Sequence, residues 1–335
     1  MKNRKDHCVR RFLITAILYT ALLNSAIPVI GANCLNTSTG FIPLIDLGND
    51  TYNGFSGGLY PFGSNSRPQT HELAGIQQSY QIRPRDAKGL IKAHGKIVFL
   101  SIGMSNATQE YSTFKAIADA DPQRNPKVQI VDGAQSSMTA DRISDLNSSQ
   151  GQQFWQTVDQ RLTQSGATAK QVQAVWLKEA DGDPLTTFPE DALRLKSELK
   201  LIAQILKQRF RNLRAVYLTS RIYGGFSDQP VTRGEPVSYQ TGFAVKWLIE
   251  DQINGAPELN YDGRLGPVSA PWLSWGPYLW ADGTTTRSDG LFFVCSDFVN
   301  DGHHPAPGGA RDKVALRLLD FLKTDSTAQR WFVKP

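Results

Sequence analysis

From residue 96 onward the chain alternates two patterns of apolar and polar positions. Short β-type apolar runs, IVFLSIG (97–103), VQIVDG (128–133), VQAVWL (172–177) and LRAVYLTS (213–220), are separated by stretches with apolar residues at three- or four-residue steps. The first pattern predicts buried strands and the second predicts amphipathic helices. One helix carries Tyr111, Phe114, Ile117 and Ala118, another Phe154, Val158 and Leu162, and a third Leu195, Leu199, Ile202 and Leu206. A last one, over about 308–323, carries Val314, Ala315, Leu318, Leu319 and Leu322. Strands alternating with helices are the mark of an α/β fold, a parallel sheet covered by helices. Residues 33–95 follow neither period. Their Gly-, Ser-, Asn- and Pro-rich part, 49–90, reads as an ordered loop region or a set of short edge strands. The segment 221–290 is too long for a simple crossover and predicts an insertion over the crevice, with a helix at about 237–253 and the aromatic run APWLSWGPYLWADG. These aromatics read mainly as the insertion's own core, with Trp275 and Tyr223 expected to face a substrate.

The first 32 residues follow a different logic. A basic start (Lys2, Arg4, Lys5, Arg10, Arg11) leads into FLITAILYTALL and a small-residue exit, which predicts a secretory signal peptide and a secreted or periplasmic protein. That apolar run falls short of the ~20 residues a membrane span needs, so no transmembrane segment is expected after cleavage. Formal charge is +5 for the whole chain, and the leader's five basic residues and one Asp account for most of it. With no cluster of cations left on residues 33–335, read as a single domain, nucleic acid is excluded as a partner. Of three cysteines one leaves with the leader, and Cys34 and Cys295 remain either as a disulfide or as two free thiols.

Ligands of open parallel sheets bind outside the carboxyl ends of the strands, so the loops after each strand are where chemistry is sought. After the first strand, Gly103 permits a tight turn and Ser105 stands at a helix start, either as a reactive hydroxyl or as a plain N-cap, with Asn106 beside it. The second strand ends at Asp132-Gly133-Ala134, and the third at WLKEADGDP with Lys178, Glu179, Asp181 and Asp183. Near the C-terminus stands VNDGHHPAPGG (299–309), where Asp301 lies three residues before His304 and can reach its Nδ1. Beyond the leader only His71, His94, His303 and His304 remain to act as a base, and only the last two adjoin such a carboxylate. A surface turn or a metal site through His303 and His304 are the other readings of this stretch; partners at ligand spacing are scarce, so no metal and no cofactor is expected.

Gly-x-Ser-Asn after the first strand, Gly133 after the second and Asp301-x-x-His304-Pro305 before the last helix, in that order, resemble the SGNH (GDSL-type) serine hydrolases. The resemblance spans residues 96–323. It implies a three-layer α/β/α, flavodoxin-like fold with about five parallel strands, and hydrolysis of O-acyl esters, O-acetyl among them, of a carbohydrate or small molecule. It further implies Ser105 as nucleophile, His304 as general base, Asp301 as its orienting carboxylate, and the N–H groups of Ser105 and Gly133 as oxyanion donors. Where the family places a third donor, an asparagine, this chain has Asp181. A protonated Asp181, the ammonium of Lys178 or a shifted alignment would restore a donor. Without one the fold would serve a glycan-binding or envelope protein.

Overall fold

The computed structural model describes residues 31–184 and 187–334; the predicted signal peptide lies, apart from Gly31 and Ala32, outside them. A strap, 31–43, leads into the short helix α1 (Leu44–Leu47), the hairpin β1 (Thr51–Tyr52) and β2 (Phe55–Ser56), and helix α2 (Gln69–Tyr80). Then come β3 (Ile97–Gly103), α3 (Ser105–Ala120), β4 (Val128–Asp132), α4 (Ala140–Ser144), α5 (Ser149–Gln164) and β5 (Val172–Lys178). The second half holds α6 (Glu190–Arg209), β6 (Ala215–Leu218), α7 (Pro230–Arg233), α8 (Val237–Ile253), β7 (Trp272–Trp275), α9 (Ala310–Thr324) and α10 (Gln329–Phe332).

Five strands form one parallel sheet in the order β4-β3-β5-β6-β7. Strands β3, β5, β6 and β7 are buried at every position, as a sheet covered on both faces requires. Helices α3, α9, α10 and α2 form one connected layer, and α5, α4, α6 and α8 the other. The chain passes from β3 outward to β4 and then back across to β5, so the topological switch lies at β3. The loops leaving β3 and β5 therefore diverge around a crevice.

Two elements differ from the sequence-based expectation. The segment 221–290 is not an insertion laid over the crevice as a unit: α8 is the crossover helix and Trp272–Trp275 is the fifth strand, paired with β6 from Ala215↔Trp272 to Leu218↔Trp275. Only its first part, around Arg221 to Arg233, walls the site. The loop-like region 49–90 contains the twelve-residue helix α2, whose buried face is His71, Gly75 and Ser79. His71 Nε2 donates to Leu273 O at 2.8 Å and its ring stacks on Trp272 with centroids 5.0 Å apart, so this histidine anchors α2 to the edge strand.

The strap is held along its length. Ala32 N donates to Asn300 O at 2.7 Å, Asn33 N to Phe226 O at 2.8 Å, and Thr39 N to Asp282 Oδ1 at 2.6 Å. Cys34 is disulfide-bonded to Cys295. No helix among the described residues is long and apolar enough to cross a membrane.

A Cβ on Gly75 would run into the indole of Trp272, which is itself fully buried. Gly75→Val is therefore expected to destabilise the protein by about 1–3 kcal/mol through overpacking, read as a lower urea midpoint with an unchanged slope.

Candidate active site

Strand β3 ends at Gly103 and helix α3 begins two positions later, at Ser105. The residue between, Met104, is extended and offers the helix no side-chain cap, and the N–H groups of Ser105, Asn106 and Ala107 find no acceptor among the described residues. A sixteen-residue helix thus opens its positive end into the crevice, with the Ser105 hydroxyl at its mouth.

The loop after Phe298 supplies the partner. Gly302 adopts φ 70°, a left-handed conformation that turns the chain back so that Asp301 can cap its own successors. Asp301 Oδ1 accepts from His303 N at 3.0 Å and from His304 N at 2.9 Å, while Oδ2 accepts from His304 Nδ1 at 2.6 Å. Burial pushes the Asp301 carboxyl up, but these hydrogen bonds outweigh it and hold the group below its ordinary value. With Nδ1 engaged, His304 turns Nε2 to Ser105 Oγ at 2.8 Å. The sequence-predicted Ser105, His304 and Asp301 therefore meet, from opposite ends of the domain.

Around them is a cavity of about 350 Å³, lined by Ser105, Asn106, His303, His304, Asp181 and residues of three loops. Asn106 Nδ2 donates to His303 O at 2.8 Å and so ties the helix that carries Ser105 to the histidine loop. Burial drives His303 down to about 4, so the ring is uncharged at pH 7. Its Nδ1 donates to Asp301 O at 3.2 Å and its Nε2 accepts from Arg233 Nη1 at 2.8 Å. Asp301, His303 and His304 present ligand atoms within 4.8 Å of one another. With a guanidinium donating to His303 Nε2 and the other nitrogens aimed at Asp301 and Ser105, however, this is poor ground for a cation.

Several expected participants stand elsewhere. Gly133 does not line the cavity; its N–H donates to Ser101 O and Oγ, both at 3.1 Å, because the register Ser101↔Asp132 carries the ladder past the strand end. Three positions on, Ser136 and Ser137 do line it, Ser137 at φ 62°, and their N–H groups have no acceptor among the described residues. Lys178 is buried beneath the site, its ammonium 2.6 and 2.7 Å from the two oxygens of Glu110, so it is no oxyanion donor. Asp181 does reach the cavity. Its Oδ2 accepts from Arg194 Nε at 3.1 Å. Burial, and then a hydrogen bond to Asp181, raise the neighbouring Glu198 to about 9. Tyr223 is buried, donating to Asn36 O at 2.8 Å, and Trp275 is a strand residue donating to Leu59 O at 2.7 Å; neither faces the cavity. Arg142, Arg221 and Arg233 line it instead. Only Arg221, three positions beyond the end of β6, stood at a strand end where sequence reasoning looks.

No protein-family model and no curated protein matches the sequence. Thirteen solved chains match in structure, SGNH- and GDSL-type hydrolases among them. A GDSL-like lipase from Bacteroides thetaiotaomicron aligns at 10% identity over 74% of this chain and 97% of its own, with a TM-score of 0.38. A carbohydrate esterase family 3 protein from Talaromyces cellulolyticus aligns at 10% identity over 66% and 94%, with a TM-score of 0.37. The periplasmic domain of a lipopolysaccharide acetyltransferase from Salmonella ser. Paratyphi A aligns at 13% identity over 76% and 94%, with a TM-score of 0.37. At such scores nothing is carried over from these structures, and the chemistry of the site is read from its own geometry.

Glu235 closes the loop that carries Arg233, accepting from Gly224 N at 2.7 Å, Trp280 Nε1 at 2.8 Å and Tyr239 N at 3.0 Å. Burial nevertheless raises its carboxyl from 4.5 to about 7. The folded state thus keeps a proton that the unfolded chain releases, and the stability this brings, fullest below pH 4.5, is lost as pH rises through 7. Glu235 is expected to lower the unfolding free energy by on the order of 2–3 kcal/mol between pH 5 and pH 8, against the rise that His71 and His303, both held down to about 4, bring below pH 6.5. Urea titrations across that range should show a smaller fall in Glu235→Gln.

Proposed function

We propose that the chain is a serine esterase of the SGNH type, hydrolysing O-acyl esters, O-acetyl among them, of a carbohydrate or small molecule. The observation that carries this reading is the unbroken relay Asp301 Oδ2, His304 Nδ1, His304 Nε2, Ser105 Oγ, with steps of 2.6 and 2.8 Å, ending at an uncapped helix N-terminus in a cavity.

In the first half-reaction Ser105 Oγ attacks the acyl carbonyl carbon while its proton passes to His304 Nε2. Asp301 stabilises the imidazolium and holds the ring in place. The oxyanion forms against the N–H of Ser105 and the unengaged N–H groups at Ser136 and Ser137. Collapse breaks the ester C–O bond, and the imidazolium returns its proton to the leaving alcohol. Water, deprotonated by His304, then cleaves the acyl-serine and releases the carboxylic acid. Asp181 has no part in holding the oxyanion, since a carboxylate paired with Arg194 accepts hydrogen bonds and does not donate them.

A fluorophosphonate probe should label Ser105, with no label in Ser105→Ala and slow labelling in His304→Ala. Turnover of p-nitrophenyl acetate should drop by ~10³-fold or more in both, and by ~10²–10⁴-fold in Asp301→Asn. A wild-type protein that takes no label and hydrolyses no ester would instead be a glycan-binding protein on this fold.

A further inference from the structure

Three guanidinium groups line the cavity, those of Arg142, Arg221 and Arg233, against the single carboxylate of Asp181. Asp181 already faces Arg194 at 3.1 Å and a protonated Glu198. Among the described residues none of the three cavity arginines has a carboxylate within ion-pair distance. Arg142 Nη1 donates to Ser137 O at 2.6 Å, Arg233 Nη1 to His303 Nε2 at 2.8 Å, and Arg221 Nη2 to Arg233 O at 3.4 Å. Arg221 is only 8% exposed. Burial lowers it to about 10, so it remains a cation at pH 7, with one long hydrogen bond to a carbonyl as its described side-chain partner. An unpaired buried charge is costly unless something pairs with it.

The position of these cations relative to the relay says which half of the ester they meet. His304 must hand its proton to the leaving alcohol, so the alcohol lies on the imidazole side of Ser105. The ring of His303 stands 4.4 Å from that of His304, and His303, uncharged, fixes Arg233 on that same side. The acyl group then lies toward the helix mouth, and Arg233, with Arg221 bonded to its carbonyl, toward the alcohol.

We propose, resting on the esterase reading, that the alcohol half of the substrate is anionic: an acylated carbohydrate whose carboxylate or phosphate is bound by Arg233 and Arg221, with Arg142 across the cavity adding to its positive charge. Guanidinium forks suit both anions, and both would be drawn to the cavity by its surplus of positive charge.

The test compares three mono-O-acetyl substrates, a methyl glucoside, a methyl glucuronoside and glucose 6-phosphate, with p-nitrophenyl acetate as the uncharged reference. A charged hydrogen bond is worth about tenfold or more in affinity. At low salt kcat/KM is therefore expected to be at least tenfold higher for one acidic ester than for the neutral glucoside, and to fall toward the neutral value as NaCl is added. Whichever acidic ester leads identifies the anion. In Arg233→Gln and Arg142→Gln the acidic-to-neutral ratio should shrink, chiefly through KM. Equal or faster hydrolysis of the neutral glucoside at low salt, or a ratio unchanged in both variants, overturns the inference while leaving the esterase reading in place. Absence of turnover on all four esters overturns both.

Discussion

The site depends on the place where β3 stops. Gly103 sits so close to the next strand that a Cβ there would collide with the carbonyl of Lys178 and the side chain of Ala107. That close approach lets α3 start directly at the strand end, with Ser105 as its first residue. Beneath the same turn the ammonium of Lys178, at the end of β5, meets Glu110 on α3, both nearly or wholly buried. A pair so deeply buried contributes little net stability, but loss of either partner would strand a charge, at about 3–5 kcal/mol. The pair therefore acts as a geometric pin: α3 cannot slide or rotate on the sheet without separating it, and the position of Ser105 is fixed from below.

Charge around the cavity is arranged in two groups. On the β5 side lie carboxyl groups, Glu179, Asp181 and Glu198, with Arg194 as their cation. Burial raises Glu179 well above its ordinary value and Glu198 to about 9, so Glu198 is neutral at pH 7. On the side of the loop 221–236 stand Arg221 and Arg233, with Arg142 reaching the cavity from α4. The asymmetry follows from chemistry: a carboxyl can shed charge at neutral pH and a guanidinium cannot. The cations that line the cavity are thus Arg142, Arg221 and Arg233.

What could be read from the chain depended on whether the signal was local. Asp301 and His304 are three positions apart on one turn, histidines are few, and the strand runs before Ser105 and Lys178 are long and apolar, so these were legible. Strand β7 was hidden because it is four residues long and set among other aromatics between Pro271 and Gly276. Helix α2 was hidden because its buried face is made of His71, Gly75 and Ser79, small or polar groups that fit against Trp272 without forming an apolar stripe. That Ser136 and Ser137 line the cavity and Gly133 does not turns on where one N–H points, which register decides and composition does not. The convergence of Arg142, Arg221 and Arg233 is a tertiary fact with no spacing to betray it.

The bond between Cys34 and Cys295 closes a ring of 261 positions, and chain-entropy reasoning assigns such a large ring about 5 kcal/mol of restraint on the unfolded state. Ser105 lies inside that ring, whereas Asp301 and His304 hang just beyond its clasp, on a loop whose Asn300 carbonyl accepts from Ala32 in the strap. The two halves of the relay are thus tethered differently. Thiols that open the clasp would remove a covalent tie five positions before Asn300, while the hydrogen bonds of His303 O with Asn106 and of Asp301 O with Asp228 N still hold the imidazole arm.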